Sequence, residues 1–78
     1  MLFIRGLERT FREVKRRNED PAMLPYELGV AAAPLLVRHM TRRGVDEYLA
    51  ERFVEGRISL FHKGVVAYMA DTYGEPDL

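Results

Sequence analysis

Apolar residues recur at helical spacing from the start of the chain. At 100° per residue, Phe3, Ile4, Leu7, Phe11 and Val14 fall within an arc of about 100°, while Arg5, Arg9, Arg12 and Arg16 fall within about 60° on the opposite side. The pattern predicts a helix over residues 3–17 with one face in the core and one lined by arginine. Glu8 to Arg12 and Glu13 to Arg17 are i,i+4 pairs in the favourable order, worth a few tenths of a kcal/mol each. Lys15, Arg16 and Arg17 suit the negative end of the helix dipole. Asn18-Glu-Asp-Pro21 reads as a turn, because Asn and Asp bond to their own backbone and Pro cannot continue a helix.

The next pattern is the run from Leu28 to Val37, which carries no charge. Ten residues fall well short of the ~20 that cross a bilayer, so the run reads as a buried central helix. Pro25 suits its first turn, Gly44 offers a C-terminal stop, and the helix is expected over 25–43. Pro34 predicts a kink or break near residues 30–34, and Gly29 with Ala31, Ala32 and Ala33 permits close approach of a neighbour.

Val45, Tyr48, Leu49 and Phe53 form the stripe of a third helix over 45–55, with Asp46 and Glu47 in its first turn and Gly56 as its stop. Ser59 predicts the cap of a fourth helix running to Tyr73, with Gly74 and Pro76 ending it. The rival is a β-hairpin over residues 57–69, since two β-prone runs flank His62-Lys-Gly64 and Gly64 inside a helix costs about 1 kcal/mol relative to Ala. The expected fold is therefore all-α, a compact four-helix single domain over residues 1–78. The alternative is α+β, three helices followed by the hairpin. The apolar arcs place Ile4, Leu7, Phe11, Val14, Leu28, Leu36, Val37, Met40, Leu49 and Phe53 in the core.

A chain of 78 residues is marginal on a single core, and the absence of cysteine removes disulfides, thiolate metal sites and thiol catalysis together. A partner subunit is the remaining support, so a homodimer is expected, built on residues 60–73 and on Ala31 to Ala33. His39 and His62 are far apart and match no zinc spacing, so neither a metal nor another cofactor is expected. The start of the chain lacks the features of a signal peptide, which points to a cytoplasmic protein with no membrane association. Arg supplies ten of the twelve basic residues, Asn occurs once and Gln is absent. Heat-adapted proteins show that pattern, and a GC-rich genome gives the same arginine bias.

Net charge is zero but unevenly placed: residues 1–43 hold nine basic against five acidic side chains, and residues 44–78 hold three against seven. That asymmetry marks the first half as a surface for nucleic acid or an acidic partner, or else as a dock for the second half. No nucleophile elbow, phosphate-binding glycine loop or Cys/His pair is present, so an enzyme is not expected. Glu47, Glu51 and Glu55 stand at i,i+4 and read as a solvated acidic face. A helix-turn-helix across residues 45–73 is opposed by chemistry, because its recognition helix would offer Leu60, Phe61, His62 and Lys63 before turning apolar, where base readout needs Arg, Lys, Asn or Gln.

The arginine row is the best functional signal, since guanidinium suits phosphate through bidentate hydrogen bonds. Its bland reading is a solubilising face laced with Glu8 and Glu13. The expected site is Arg5, Arg9, Arg12 and Arg16, extended by Arg38, Arg42 and Arg43 if the second helix packs antiparallel to the first. The expected function is a small non-enzymatic regulatory protein associated with DNA or RNA. The alternative is a protein-interaction module, an adaptor or inhibitor that offers the same arginines to an acidic protein.

Overall fold

A computed structural model of the chain describes residues 2–74 and contains four helices: α1 (Leu2–Arg17), α2 (Leu24–His39), α3 (Arg42–Val54) and α4 (Leu60–Tyr73). A single 3-10 turn, Pro21–Met23, leads into α2 and is capped by the Asp20 carboxylate, which accepts from the Ala22 N–H at 3.1 Å. There is no strand among the described residues, so residues 57–69 are not a hairpin. The Ser59 hydroxyl caps α4 by accepting from the His62 N–H at 3.3 Å, and Gly74 ends the helix at a positive φ of 89°. Pro76 lies outside the described residues.

The boundary between the second and third helices departs from the sequence expectation. Gly44 does not stop α2; its N–H donates to the Thr41 hydroxyl at 3.0 Å, so Thr41 caps α3 and the glycine lies in that helix's first turn. Met40, extended at φ −134°, makes the break four residues earlier. Pro34 does not break α2, which runs through it. The end of α3 follows expectation: Gly56 takes a φ of 68°, its N–H donates to the Phe53 carbonyl at 3.1 Å, and the Arg57 N–H donates to the Arg52 carbonyl at 2.9 Å. These are the two bonds of a Schellman stop.

The molecule is organised around a glycine crossing between α2 and α4. A Cβ built at Gly29 would overlap the Phe61 carbonyl, and one built at Gly64 would overlap the Tyr26 carbonyl. Each glycine thus occupies space on the other helix's backbone, which only a residue without a side chain permits. The starts of the two helices meet there, and just past the end of α2 Arg42 reaches the Tyr73 carbonyl, so α2 and α4 run in the same direction. α1 is antiparallel to α2, since Phe3 stacks on His39 and Gly6 faces Leu35. α3 returns antiparallel to α4.

The core is Ala33, Val45, Leu49, Val65 and Met69, with Leu36, Val37, Phe61, Val66 and Tyr68 packed around it. Val14 and Ala32 are also buried. Of the expected core, Val14 and Leu49 are buried, and Leu7, Phe11, Leu28, Leu36 and Val37 are partly so. Ile4, Met40 and Phe53 are not core: they are 46%, 39% and 44% exposed. Ile4 and Phe53 stand on the edges of their helices' apolar arcs, whereas Met40 lies beyond the end of α2, where the extended backbone takes it off the helix face.

Candidate nucleic-acid interface

The arginine row follows directly from how α1 packs. Val14 is buried and Phe11 meets Phe61 edge-on at 6.3 Å between ring centroids, so the apolar arc is turned toward α2 and α4. The opposite arc is thereby turned to solvent, and Arg5, Arg9, Arg12 and Arg16 are all exposed. A rise of about 1.5 Å per residue spaces their attachment points about 4.5–6 Å apart along the helix.

Three of these four guanidinium groups have no carboxylate within 4.0 Å among the described residues; the exception is Arg16, which donates to Glu13 at 2.8 Å. That hydrogen bond and the nearby positive charge hold the Glu13 carboxyl below its ordinary value and raise Arg16. The expected Glu8–Arg12 pair is not formed. Glu13 serves Arg16 instead of Arg17, whose Nε donates to the Glu13 backbone carbonyl at 3.4 Å.

The second group of expected site residues divides. Because α2 is antiparallel to α1, Arg38 comes beside the start of α1, exposed and without a carboxylate partner among the described residues. Arg42 is occupied: Nε lies 3.7 Å from Asp46, Nη2 donates to the Tyr73 carbonyl at 3.3 Å, and the guanidinium sits 5.1 Å from the Tyr73 ring centroid. It ties the start of α3 to the end of α4. Arg43 donates to Glu47 at 3.0 Å along the surface of α3. Of the expected site residues, those without a carboxylate partner among the described residues are therefore Arg5, Arg9, Arg12 and Arg38.

Two features at the surface were not legible in advance. His39 stacks on Phe3 with ring centroids 4.0 Å apart and planes 13° from parallel. Between the end of α1 and the start of α2 lies an open cleft of about 500 Å³ lined by Val14, Arg17, Tyr26, Glu27, Val30 and Ala31. Neither carries a motif; both depend on which helix faces which. His62 is held between the Ser59 hydroxyl, 3.2 Å from Nδ1, and the Tyr48 hydroxyl, 3.4 Å from Nε2. The same serine oxygen caps α4, which gives this cluster a structural task.

The presumed recognition helix of a helix-turn-helix is α4, whose Gly64, Val65 and Met69 are buried. Its exposed positions are Leu60, Lys63, Asp71, Thr72 and Tyr73, with one cation among them, which is poor chemistry for base readout. No helix among the described residues is long and apolar enough to cross a membrane. Compared with protein-family models, characterised proteins and solved structures, the chain finds no match.

Proposed function

We propose that this is a small non-enzymatic regulatory protein that binds nucleic acid through its phosphates, with Arg5, Arg9 and Arg12 as the central contacts, Arg16 beside them and Arg38 extending the surface at the start of α1. The observation that carries this reading is that Arg5, Arg9 and Arg12 are exposed along one side of α1 with no carboxylate among the described residues within 4.0 Å. A guanidinium free of internal partners keeps its bidentate donors for a phosphate, and such contacts position a strand without reading its sequence. Arg42 and Arg43 contribute only long-range charge, since both are committed to neighbours.

Binding to DNA and RNA as a function of salt tests it. Arg9→Ala and Arg12→Ala should each lower the slope of log K against log salt by about 1. No measurable binding at ~50 mM salt, where phosphate contacts are strongest, would discard the reading.

The second reading is a protein-interaction module, and it rests on a different surface. The apolar walls of the cleft, with Arg17 and Glu27 at its rim, suit an apolar side chain from another protein. Val54, 90% exposed, adds an apolar point at the end of α3. A homodimer belongs to either reading, but Ala32, Ala33, Gly64, Val65 and Met69 are covered within the chain itself. Within the expected segment 60–73 the exposed Leu60 and Tyr73 remain for a two-fold contact, to which Phe53 and Val54 at the end of α3 would add.

A further inference from the structure

We propose that the outer face of α4 docks a second copy of this chain, the two helices packing antiparallel about a two-fold axis at Ala67; this goes beyond the phosphate-binding reading and does not depend on it. Within the chain, α2 meets α4 at Gly64, α1 meets it at Phe61 and α3 at His62. On a helical wheel these positions, with the buried Val65 and Met69, take up one side of the helix. Leu60, Lys63, Ala67, Ala70 and Asp71 fall within an arc of about 100° on the remaining side. Leu60, Lys63 and Asp71 are exposed, and Ala67 and Ala70 are partly so.

The charge pattern of this face selects a second copy as its occupant. Lys63 and Asp71 stand about 12 Å apart along the helix axis, with Ala67 midway between them. Neither has an opposite charge within 4.0 Å among the described residues. A two-fold contact requires one patch to complement itself. Turned antiparallel about Ala67, each copy sets its Lys63 level with Asp71 of the other, so both charges gain partners twice. A parallel pair would instead set like charges against each other. Ala67 and Ala70 carry nothing beyond Cβ, which allows the axes to approach to about 8 Å, and Leu60 adds apolar contact at each end. Exposed ion pairs contribute little affinity, but they fix register. Tyr73 is not needed, since the Arg42 guanidinium already sits 5.1 Å from its ring centroid. No arginine of α1 belongs to the face, so the dimer leaves both arginine rows open.

The test is sedimentation equilibrium of the full chain from about 1 µM to about 1 mM, the span of weak to moderate affinities. A monomer–dimer equilibrium should appear. Lys63→Asp alone sets two pairs of like charges across the axis and should raise the dimer Kd at least about tenfold. Lys63→Asp combined with Asp71→Lys exchanges the charges and should restore the original Kd. Because the chain has no cysteine, Ala67→Cys gives a second readout: two copies meeting on the axis should form an intermolecular disulfide under mild oxidation much faster than Glu51→Cys, an exposed position on α3. Circular dichroism of each variant checks that the helices are kept. A monomer at every concentration would overturn the proposal, as would a dimer indifferent to Lys63→Asp, a double exchange that fails to restore it, or equal disulfide rates at the two cysteine positions. None of these outcomes bears on the arginine row, which is read from binding to nucleic acid.

Discussion

The glycine crossing of α2 and α4 and the arginine face of α1 are opposites in what the fold asks of them. At the crossing, two backbones occupy the space of each other's missing side chains, and Ala33, Val65 and Met69 close around the contact. Nothing larger than hydrogen fits there. Along α1, Arg5, Arg9 and Arg12 touch no carboxylate among the described residues, and any soluble side chain would satisfy the helix. The first region explains its own sequence through packing. The second does not, because the fold has no use for three arginines over, say, three glutamines, and that surplus is what supports a binding role.

The sharpest way to break this contrast is to add one carbon at the crossing. Gly64→Ala or Gly29→Ala sets a methyl group against a backbone carbonyl, which no rotamer change relieves, so the helices must separate and loosen Val65 and Met69. Overpacking costs about 1–3 kcal/mol and occasionally more, and a backbone clash belongs at the upper end. Against a marginal total stability, each variant should lose about 3 kcal/mol and melt roughly 12–24 °C lower. Thermal and urea denaturation read this directly, and a loss below 1 kcal/mol would mean that the helices do not cross as closely as described.

Ser59→Ala comes next in size, since it removes the cap that starts α4 while leaving the crossing untouched. The N–H of His62 loses its acceptor, and the expected cost is about 1 kcal/mol. Gly6→Ala then reverses the sign of the glycine experiment. A Cβ at Gly6 would stand 3.6 Å from Leu35 Cδ2, an ordinary contact, so the gain in helix propensity is realised. The variant should be about 0.5–1 kcal/mol more stable. A loss at Gly6 as large as at Gly64 would show that general crowding between helices, not the α2–α4 crossing, governs both.

How much of this could be read from the chain follows from the same physics. α1, the body and end of α3 and the caps at Ser59 and Gly56 were legible because period and end signals agreed, whereas α3 starts at Arg42, so Asp46 and Glu47 lie past its first turn. Gly64 misled in an instructive way: its cost inside a helix argued for a hairpin, yet the missing side chain is what lets α4 lie against α2. Gly44 suggested a stop because a glycine after arginines resembles one, whereas Thr41 three residues earlier supplied the cap. The inner core was hidden for a different reason. α4 is apolar on more than one side, so no arc singles out Val65 and Met69, and the small residues of α2 gain their importance only from a neighbour. The arginine row could be located from its period, but its open charges could not, since rotamer choice gave Glu13 to Arg16 and left Arg12 without Glu8. The stacking of His39 on Phe3 required the antiparallel packing of α1 and α2.

The smallest effect on stability, and the most pointed for the arginine face, comes from Glu13→Gln. The folded protein holds this carboxyl below its ordinary value because Arg16 donates to it and stabilises its charged form. A lowered folded pKa means that the pair's stabilisation is complete above the unfolded value and is lost as pH falls through the folded one. Both side chains are exposed, with 73% of Arg16 and 51% of Glu13 open to solvent, so solvent screening leaves little of that stabilisation. Glu13→Gln should therefore leave the melting temperature near neutral pH almost unchanged and flatten the stability profile slightly on its acid side. Its effect on binding should be larger, because Arg16 then joins Arg5, Arg9 and Arg12 as an open cation and a negative charge leaves the strand's path. The salt slope should steepen by about 0.9 on duplex DNA and about 0.7 on a single strand, the increments expected for one additional phosphate contact. If the slope stays as in the unmodified protein while Arg9→Ala lowers it, the strand does not extend to the end of α1, and the contact surface is confined to Arg5, Arg9, Arg12 and Arg38.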